Sequence, residues 1–273
     1  MASASAPSAE DDRVKPQRRL VVVTDVDGCL VDHATYSHAA SDPAVARLKA
    51  AGIPLILCSS KTRAELERLQ QELGLTAPFV AENGAALYVP AGVFPFPVPG
   101  ARDVSGYEVL EFGRRHEEVL PILIKTAARL GIEITTFSGM SVQAVAEDCG
   151  LSLAQARLAK LREYDEPYRL AVSDPVARTR LCRALRSAGL RCSTGGRYDH
   201  VTLDAHKGAP VAGLRRLYSQ LFGEAVLVGF GDSLNDLALL NAVDIRIIVR
   251  NSASATSELL LREGRGATIT RSG

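Results

Sequence analysis

Apolar and polar positions change their spacing along the chain, and each change marks an element. Residues 1–17 mix Ala, Ser, Pro and charged groups without any period, which predicts an N-terminal tail outside the folded body. The run Leu20-Val21-Val22-Val23-Thr24 is then continuously apolar, as in a parallel strand covered on both faces. Ser41 or Asp42 can cap a helix that has Pro43 in its first turn, Val45, Leu48 and Ala51 along one side, and Gly52 at its end. Residues 53–58 read as a second strand. Leu66, Leu69 and Leu73 return to helical spacing before Gly74, and Phe79-Val80-Ala81 reads as a third strand. Strand, helix, strand, helix in this order predicts an α/β fold with a doubly wound parallel sheet and right-handed crossovers.

The rhythm breaks near Tyr88, where Pro90, Gly92, Pro95, Pro97, Pro99 and Gly100 crowd together. That predicts an exit into an inserted α+β unit, residues 88–199. Within it, helical spacing covers 119–130, 142–148 and 153–161, and 168–172 looks like a strand. A further helix has Asp174 as its cap, Pro175 at its start and Gly189 at its end, and 190–193 and 201–203 read as paired strands. The large-sheet pattern resumes with Val226-Leu227-Val228-Gly229-Phe230 and 245–249. The expected core is therefore discontinuous, 18–87 and 200–273, with the insert as a second domain.

Composition narrows the partners. In 273 residues, 32 Lys and Arg nearly balance 31 Asp and Glu, so no net field favours nucleic acid or an anionic membrane; an anionic ligand must be held locally. No apolar run approaches the roughly 18 to 20 residues of a membrane span. The N-terminus lacks the basic-then-apolar order of a secretory signal, so a soluble cytoplasmic protein with a small-molecule partner is expected. The five cysteines (Cys29, Cys58, Cys149, Cys182, Cys192) are scattered and form no C-x-x-C, which predicts buried, reduced thiols rather than disulfides or structural zinc. Oligomeric state is left open by the sequence.

Candidate chemistry begins where the first strand ends. Asp25 and Asp27, one residue apart before Gly28, fall at the carboxyl edge of the sheet, where open α/β folds bind ligands. Alone, Asp-x-Asp-Gly is equally an ordinary turn. A second acidic cluster follows another buried-looking strand, in Gly231-Asp232-Ser233-Leu234-Asn235-Asp236. Carboxylates converging on one crevice repel unless a cation neutralises them, and hard oxygen donors suit Mg²⁺. Ser59, Ser60 and Lys61 end the second strand, and Lys207 precedes Gly208 and a helix, adding hydroxyls and cations at the same edge. Each of these taken singly is an ordinary loop residue.

Asp25-Val-Asp27-Gly28, Ser59, Lys207 and Gly231-Asp232-Ser-Leu-Asn235-Asp236 resemble the four ordered motifs of the haloacid dehalogenase superfamily of phosphohydrolases. Leu57-Cys-Ser-Ser-Lys61-Thr62, Ala81-Glu82-Asn83-Gly84-Ala85 and Gly195-Gly196-Arg197-Tyr198 are similar to the mannosyl-3-phosphoglycerate phosphatase family. The resemblance implies a Rossmann-like core with an inserted α/β cap that selects the substrate. Cys29 departs from it, standing where the superfamily usually has Thr.

By this resemblance and by carboxylate chemistry, Asp25 attacks phosphorus and becomes an aspartyl-phosphate, and Asp27 serves as acid and then base. Mg²⁺ is expected on Asp25, the Asp27 carbonyl and Asp232, with Asp236 orienting that shell. Ser59, Ser60, Lys61, Lys207 and Asn235 are expected to bind phosphate or substrate, Lys207 also offsetting the charge that repels the attack. The implied substrate is a glycosyl-3-phosphoglycerate, mannosyl or glucosyl. Its carboxylate suits Arg197, a planar fork of donors in a Gly-Gly-Arg turn, and Asn83 and Gly84 can add amide or backbone bonds. Arg197 is equally a surface salt-bridge former, and His200 and Glu166 read as structural. Two other readings stand beside this one: a phosphatase of the same superfamily for another sugar phosphate, and a non-catalytic Mg²⁺-binding phospho-acceptor module. Asp27 argues against the module, which gains nothing from an acid/base beside its acceptor.

Overall fold

The computed structural model describes residues 19–33, 35–194, 198–203, 205–250, 258–263 and 266–270. The expected N-terminal tail and Arg197 lie outside these described residues. In chain order the first elements are β1 (Arg19–Thr24), α1 (Asp42–Ala50), β2 (Leu55–Cys58), α2 (Arg63–Leu73), β3 (Phe79–Ala81), β4 (Ala86–Pro90), β5 (Arg102–Val104) and β6 (Tyr107–Glu111). Then come α3 (His116–Leu130), β7 (Ile134–Thr136), α4 (Val142–Cys149), α5 (Leu153–Ala159), β8 (Glu166–Leu170), α6 (Pro175–Ser187), β9 (Arg191–Thr194) and β10 (Asp199–Thr202). The chain closes with α7 (Gly208–Phe222), β11 (Ala225–Gly231), α8 (Leu237–Leu240), β12 (Ile245–Ile248), α9 (Glu258–Glu263) and β13 (Thr268–Ile269).

Among the described residues, nine strands form one sheet in the order β13-β12-β11-β1-β2-β3-β4-β6-β5. From β13 to β3 neighbours are parallel; from β3 to β5 they are antiparallel. The sheet explains the unbroken apolar run of β1. Val21 and Val23 join Leu214, Leu217 and Leu227 on one side, and Val22 joins Leu55, Leu57, Leu66 and Phe79 on the other. Because β1 lies between β11 and β2, Thr24 is level with Phe230 and Leu57. Asp25, Ser59 and Asp232 therefore leave the sheet along one edge.

A second, four-stranded antiparallel sheet, β7-β8-β10-β9, is backed by α3 and α6 through Val119, Leu123, Tyr168, Leu181, Leu185 and Val201. This is the cap. Its boundaries differ from the sequence expectation. The chain stays in the large sheet past Tyr88, since β4 pairs with β6 over residues 86–111, and the small sheet runs from Ile134 to Thr202. The prolines shape an edge connection rather than an exit: Phe94 and Val98 are buried, and Phe94 packs on Tyr218 with ring centroids 5.2 Å apart. Cysteine burial also differs: Cys58 is buried, whereas Cys29, Cys149, Cys182 and Cys192 are half-buried, and all five are free thiols. No helix among the described residues is long and apolar enough to cross a membrane.

Candidate active site

The edge beyond β1 and β11 gathers the acidic groups into one buried cluster. Asp25 is fastened by its N–H to the Phe230 carbonyl at 3.0 Å, and the Asp25 carbonyl accepts the Thr24 hydroxyl at 2.7 Å. Lys207, 1% exposed at the start of α7, places its Nζ 2.5 Å from Asp25 Oδ1 and 2.6 Å from Asp236 Oδ1. The other Asp236 oxygen accepts the N–H groups of Asp232 and Ser233 at 3.1 and 3.0 Å. Both Asp236 oxygens are thus engaged, which suits an orienting part better than that of a metal ligand. Gly231 is required here: a Cβ on it would fall 2.4 Å from the Asp236 Cβ.

Electrostatics in the cluster are unbalanced. Burial, then the charge of Asp236, push Asp25 well above the usual carboxylate range, against the pull of Lys207. Burial works against Lys207's own charge, but Asp236 and Asp25 outweigh it and hold the ammonium protonated. Asp27, half-buried, pairs with Lys61 at 2.9 Å, and Lys61 also lies over the Tyr36 ring at 5.0 Å. Lys61 thus meets the second aspartate. Ser59 is buried and its Oγ accepts the Lys61 N–H at 3.2 Å. Cys29 belongs to the cluster as well, since its sulfur and carboxylate oxygens of Asp25 and Asp232 lie within 4.8 Å of one another. Burial and the neighbouring aspartates push the Cys29 thiol up, so it stays neutral among hard oxygen donors. Asp25 and Asp232 thereby form an acidic group able to hold a cation.

The loop between β3 and β4 links this edge to the cap. Glu82, Asn83 and Gly84 all have positive φ (48°, 59° and 95°). Their N–H groups and packing brace the edge: Glu82 N–H donates to the Lys61 carbonyl at 3.0 Å and Asn83 N–H to the Ser59 carbonyl at 2.9 Å. Gly84 sits so close to the chain before Lys207 that a Cβ would fall 2.4 Å from the His206 carbonyl. On its other side the loop grips the cap. The fully buried Glu82 carboxyl accepts the N–H groups of Glu163, Tyr164 and Asp165, each at 2.8 Å. Asp165, also fully buried, accepts from Arg162 at 2.8 Å, His200 at 2.9 Å and the Asn83 amide at 3.2 Å. Arg162 reaches back to the Ser60 carbonyl at 2.7 Å.

Of the residues singled out in the sequence, Asp25, Asp232, Asp236 and Lys207 converge directly, with Asp27, Lys61 and Ser59 beside them. Ser60 presents its carbonyl to Arg162. Asn83, Asn235 and Lys207 line a cleft of about 700 Å³ between core and cap. Glu166 is tied inside the cap to Ser138 at 2.8 Å and to His116. The network of Glu82, Arg162, Asp165 and His200 was not read from the sequence as a unit. One signal was available: Glu82 is the single charged residue between the apolar runs Phe79-Val80-Ala81 and Ala85-Ala86-Leu87, the mark of a buried, paired charge.

The sequence profile of haloacid dehalogenase-like hydrolases matches residues 22–92. A glucosyl-3-phosphoglycerate/mannosyl-3-phosphoglycerate phosphatase from Methanococcoides burtonii is 42% identical over 230 residues, 84% of each chain. One of the same name from Persephonella marina is 33% identical over 232 residues, again 84% of each. Among solved structures, one from Thermotoga maritima aligns with a TM-score of 0.62 at 18% identity, covering 93% of both chains. A haloacid dehalogenase-like hydrolase from Bacteroides thetaiotaomicron aligns at 0.62 and 16%, covering 93% of this chain and 94% of that one. These two likenesses concern the fold.

Proposed function

The chain belongs to the glucosyl-3-phosphoglycerate/mannosyl-3-phosphoglycerate phosphatase family of haloacid dehalogenase-like hydrolases, a phosphoric monoester hydrolase, and from that premise we propose that it cleaves a glycosyl-3-phosphoglycerate to glycosylglycerate and phosphate. Asp25 Oδ attacks phosphorus while the ester P–O bond breaks, and Asp27 donates the proton that the leaving alkoxide takes up. Asp27 then accepts a proton from water as its oxygen attacks the aspartyl-phosphate, which frees Asp25 and inorganic phosphate. Lys207 holds Asp25 in place and offsets its repulsion of the phosphoryl group, and Asp236 fixes Lys207 from the other side. Lys61 orients the Asp27 carboxylate.

The observation that carries this reading is the charge count at the sheet edge. Asp25, Asp27, Asp232 and Asp236 face Lys61 and Lys207, a formal excess of two negative charges. The carboxylates of Asp25 and Asp232, with the Asp27 carbonyl that the resemblance implies, would hold one Mg²⁺, which fits that excess and the hard donor set. It would supply Lewis-acid stabilisation of the phosphoryl charge. A panel of phosphorylated metabolites, with Mg²⁺ or with chelator, tests the proposal. The expected result is Mg²⁺-dependent release of phosphate with the highest kcat/KM on mannosyl- or glucosyl-3-phosphoglycerate. Comparable values on unrelated sugar phosphates would contradict the substrate.

A further inference from the structure

Two buried polar atoms at the cleft between core and cap have no hydrogen-bond partner among the described residues: Asn83 Oδ1 and Thr202 Oγ1. Their residues are 7% and 4% exposed, and both line the same cleft of about 700 Å³ that Lys207 bounds on the core side. Native interiors rarely leave such groups unpaired, so each is a free position for a ligand in the cleft.

The surroundings say what kind of partner. The Asn83 amide is fixed by its nitrogen, which donates to Asp165 Oδ2 at 3.2 Å; the same oxygen accepts from His200 Nδ1 at 2.9 Å. Arg162 holds the other Asp165 oxygen at 2.8 Å, so the carboxylate cannot rotate away. With its nitrogen turned to Asp165, the atom Asn83 leaves unpaired is its Oδ1, an acceptor. Thr202 comes from the cap side. In the β9–β10 ladder it stands opposite Arg191, so both side chains lie on one face of the cap sheet, and both line the cleft with Ser193. Val201, on the opposite face, is buried against the helices. An acceptor on one wall, a hydroxyl on the other and an arginine beside it match a polyhydroxylated acid.

We propose that Asn83 and Thr202 are specificity-determining residues that read hydroxyl groups of the sugar acid from the core and cap sides, with Arg191 receiving its carboxylate. This rests on the substrate being a phosphorylated sugar-glycerate. Asp165 acts as a positioning residue, through Asn83. A ligand without hydroxyls leaves both atoms buried and unpaired, which is how a polar site rejects the wrong group. Because one atom lies on the core loop between β3 and β4 and the other on the cap sheet, one ligand that satisfies both also holds the cap against the core.

The test compares Thr202→Val, which removes the hydroxyl at similar volume, with Thr202→Ser, which keeps it. Asn83→Gly removes the amide from a backbone at φ 59° that glycine adopts freely. The quantity read is the ratio of kcat/KM on mannosyl- or glucosyl-3-phosphoglycerate to kcat/KM on a small aryl phosphate, which has no hydroxyls to read. That ratio is expected to fall about tenfold or more in Thr202→Val and Asn83→Gly, and to stay within about threefold of wild type in Thr202→Ser. An unchanged ratio in both Thr202→Val and Asn83→Gly, whether the two substrates slow together or not at all, overturns the proposal. If the wild type instead prefers another sugar phosphate, the substrate assignment fails separately. The ratio is then taken with that sugar phosphate, and the same two outcomes decide.

Discussion

Two buried ionic clusters flank the loop of Glu82, Asn83 and Gly84, and they are balanced differently. At the sheet edge, Lys207 alone serves both Asp25 and Asp236, with Asp232 close by, and the carboxylates outnumber the ammonium groups. At the junction with the cap, Asp165 has Arg162, His200 and Asn83, and the Glu82 carboxyl has three backbone N–H donors. The first cluster is unfinished without a cation. In the second, every carboxylate oxygen has a donor. An unsatisfied buried cluster marks where chemistry happens, and a satisfied one marks what holds the parts in register.

The contrast is broken most severely at Asp25. Asp25→Asn is expected to lower kcat about 10³-fold or more while leaving the melting temperature unchanged or raised, because it removes the proposed nucleophile and a poorly compensated buried charge. A large drop in melting temperature would mean that this cluster is architectural too. Glu82→Ala should do the reverse. Three backbone N–H groups lose their acceptor inside the protein, and denaturant unfolding should register a loss of about 3 kcal/mol or more. Unchanged stability would show that water or relaxation satisfies the cap segment without Glu82.

A smaller effect sharpens the second cluster through pH. Burial, then the charge of Asp165, push Glu82 up to about 8. Burial also works against Asp165, but Arg162 and His200 outweigh it and hold that carboxyl at about 2. Glu82 keeps its proton in the folded chain to a higher pH than in the unfolded one. Its contribution to stability is therefore full below about pH 4.5 and is lost as pH rises through about 8. Asp165 contributes above about pH 4, and that contribution is lost as pH falls towards 2. Melting temperature measured from pH 5 to about 9 should thus decline more steeply in wild type than in Glu82→Gln, where the titrating group is gone. Parallel curves would contradict the role given to Glu82.

The same division explains what could be read from the sequence. Asp25 and Asp232 each follow an apolar run long enough to be a buried strand, so local pattern alone brought the edge cluster into view. Helix ends were equally local: Asp174 caps α6 through the N–H groups of Val176 and Ala177, as its place before Pro175 implied. The junction cluster draws on positions 82, 162, 165 and 200, and no spacing rule links residues that meet only through tertiary packing. The start of the cap was misplaced for a related reason. Whether the chain leaves a sheet at Tyr88 depends on a partner strand at 107–111, and proline clusters mark a turn without saying where the chain goes next. Lys61 shows the limit within a motif: its position at the strand end was evident, its pairing with Asp27 was not.

The central claim is that the unbalanced cluster transfers phosphate covalently through Asp25. The most direct measurement is mass spectrometry of Asp27→Asn, acid-quenched during turnover of a phosphorylated substrate, because loss of the proposed acid/base would slow hydrolysis of the proposed intermediate. One phosphoryl group on the peptide that contains Asp25 is the predicted result. Continued turnover with no phosphorylated peptide, or phosphate carried on another residue, would contradict it.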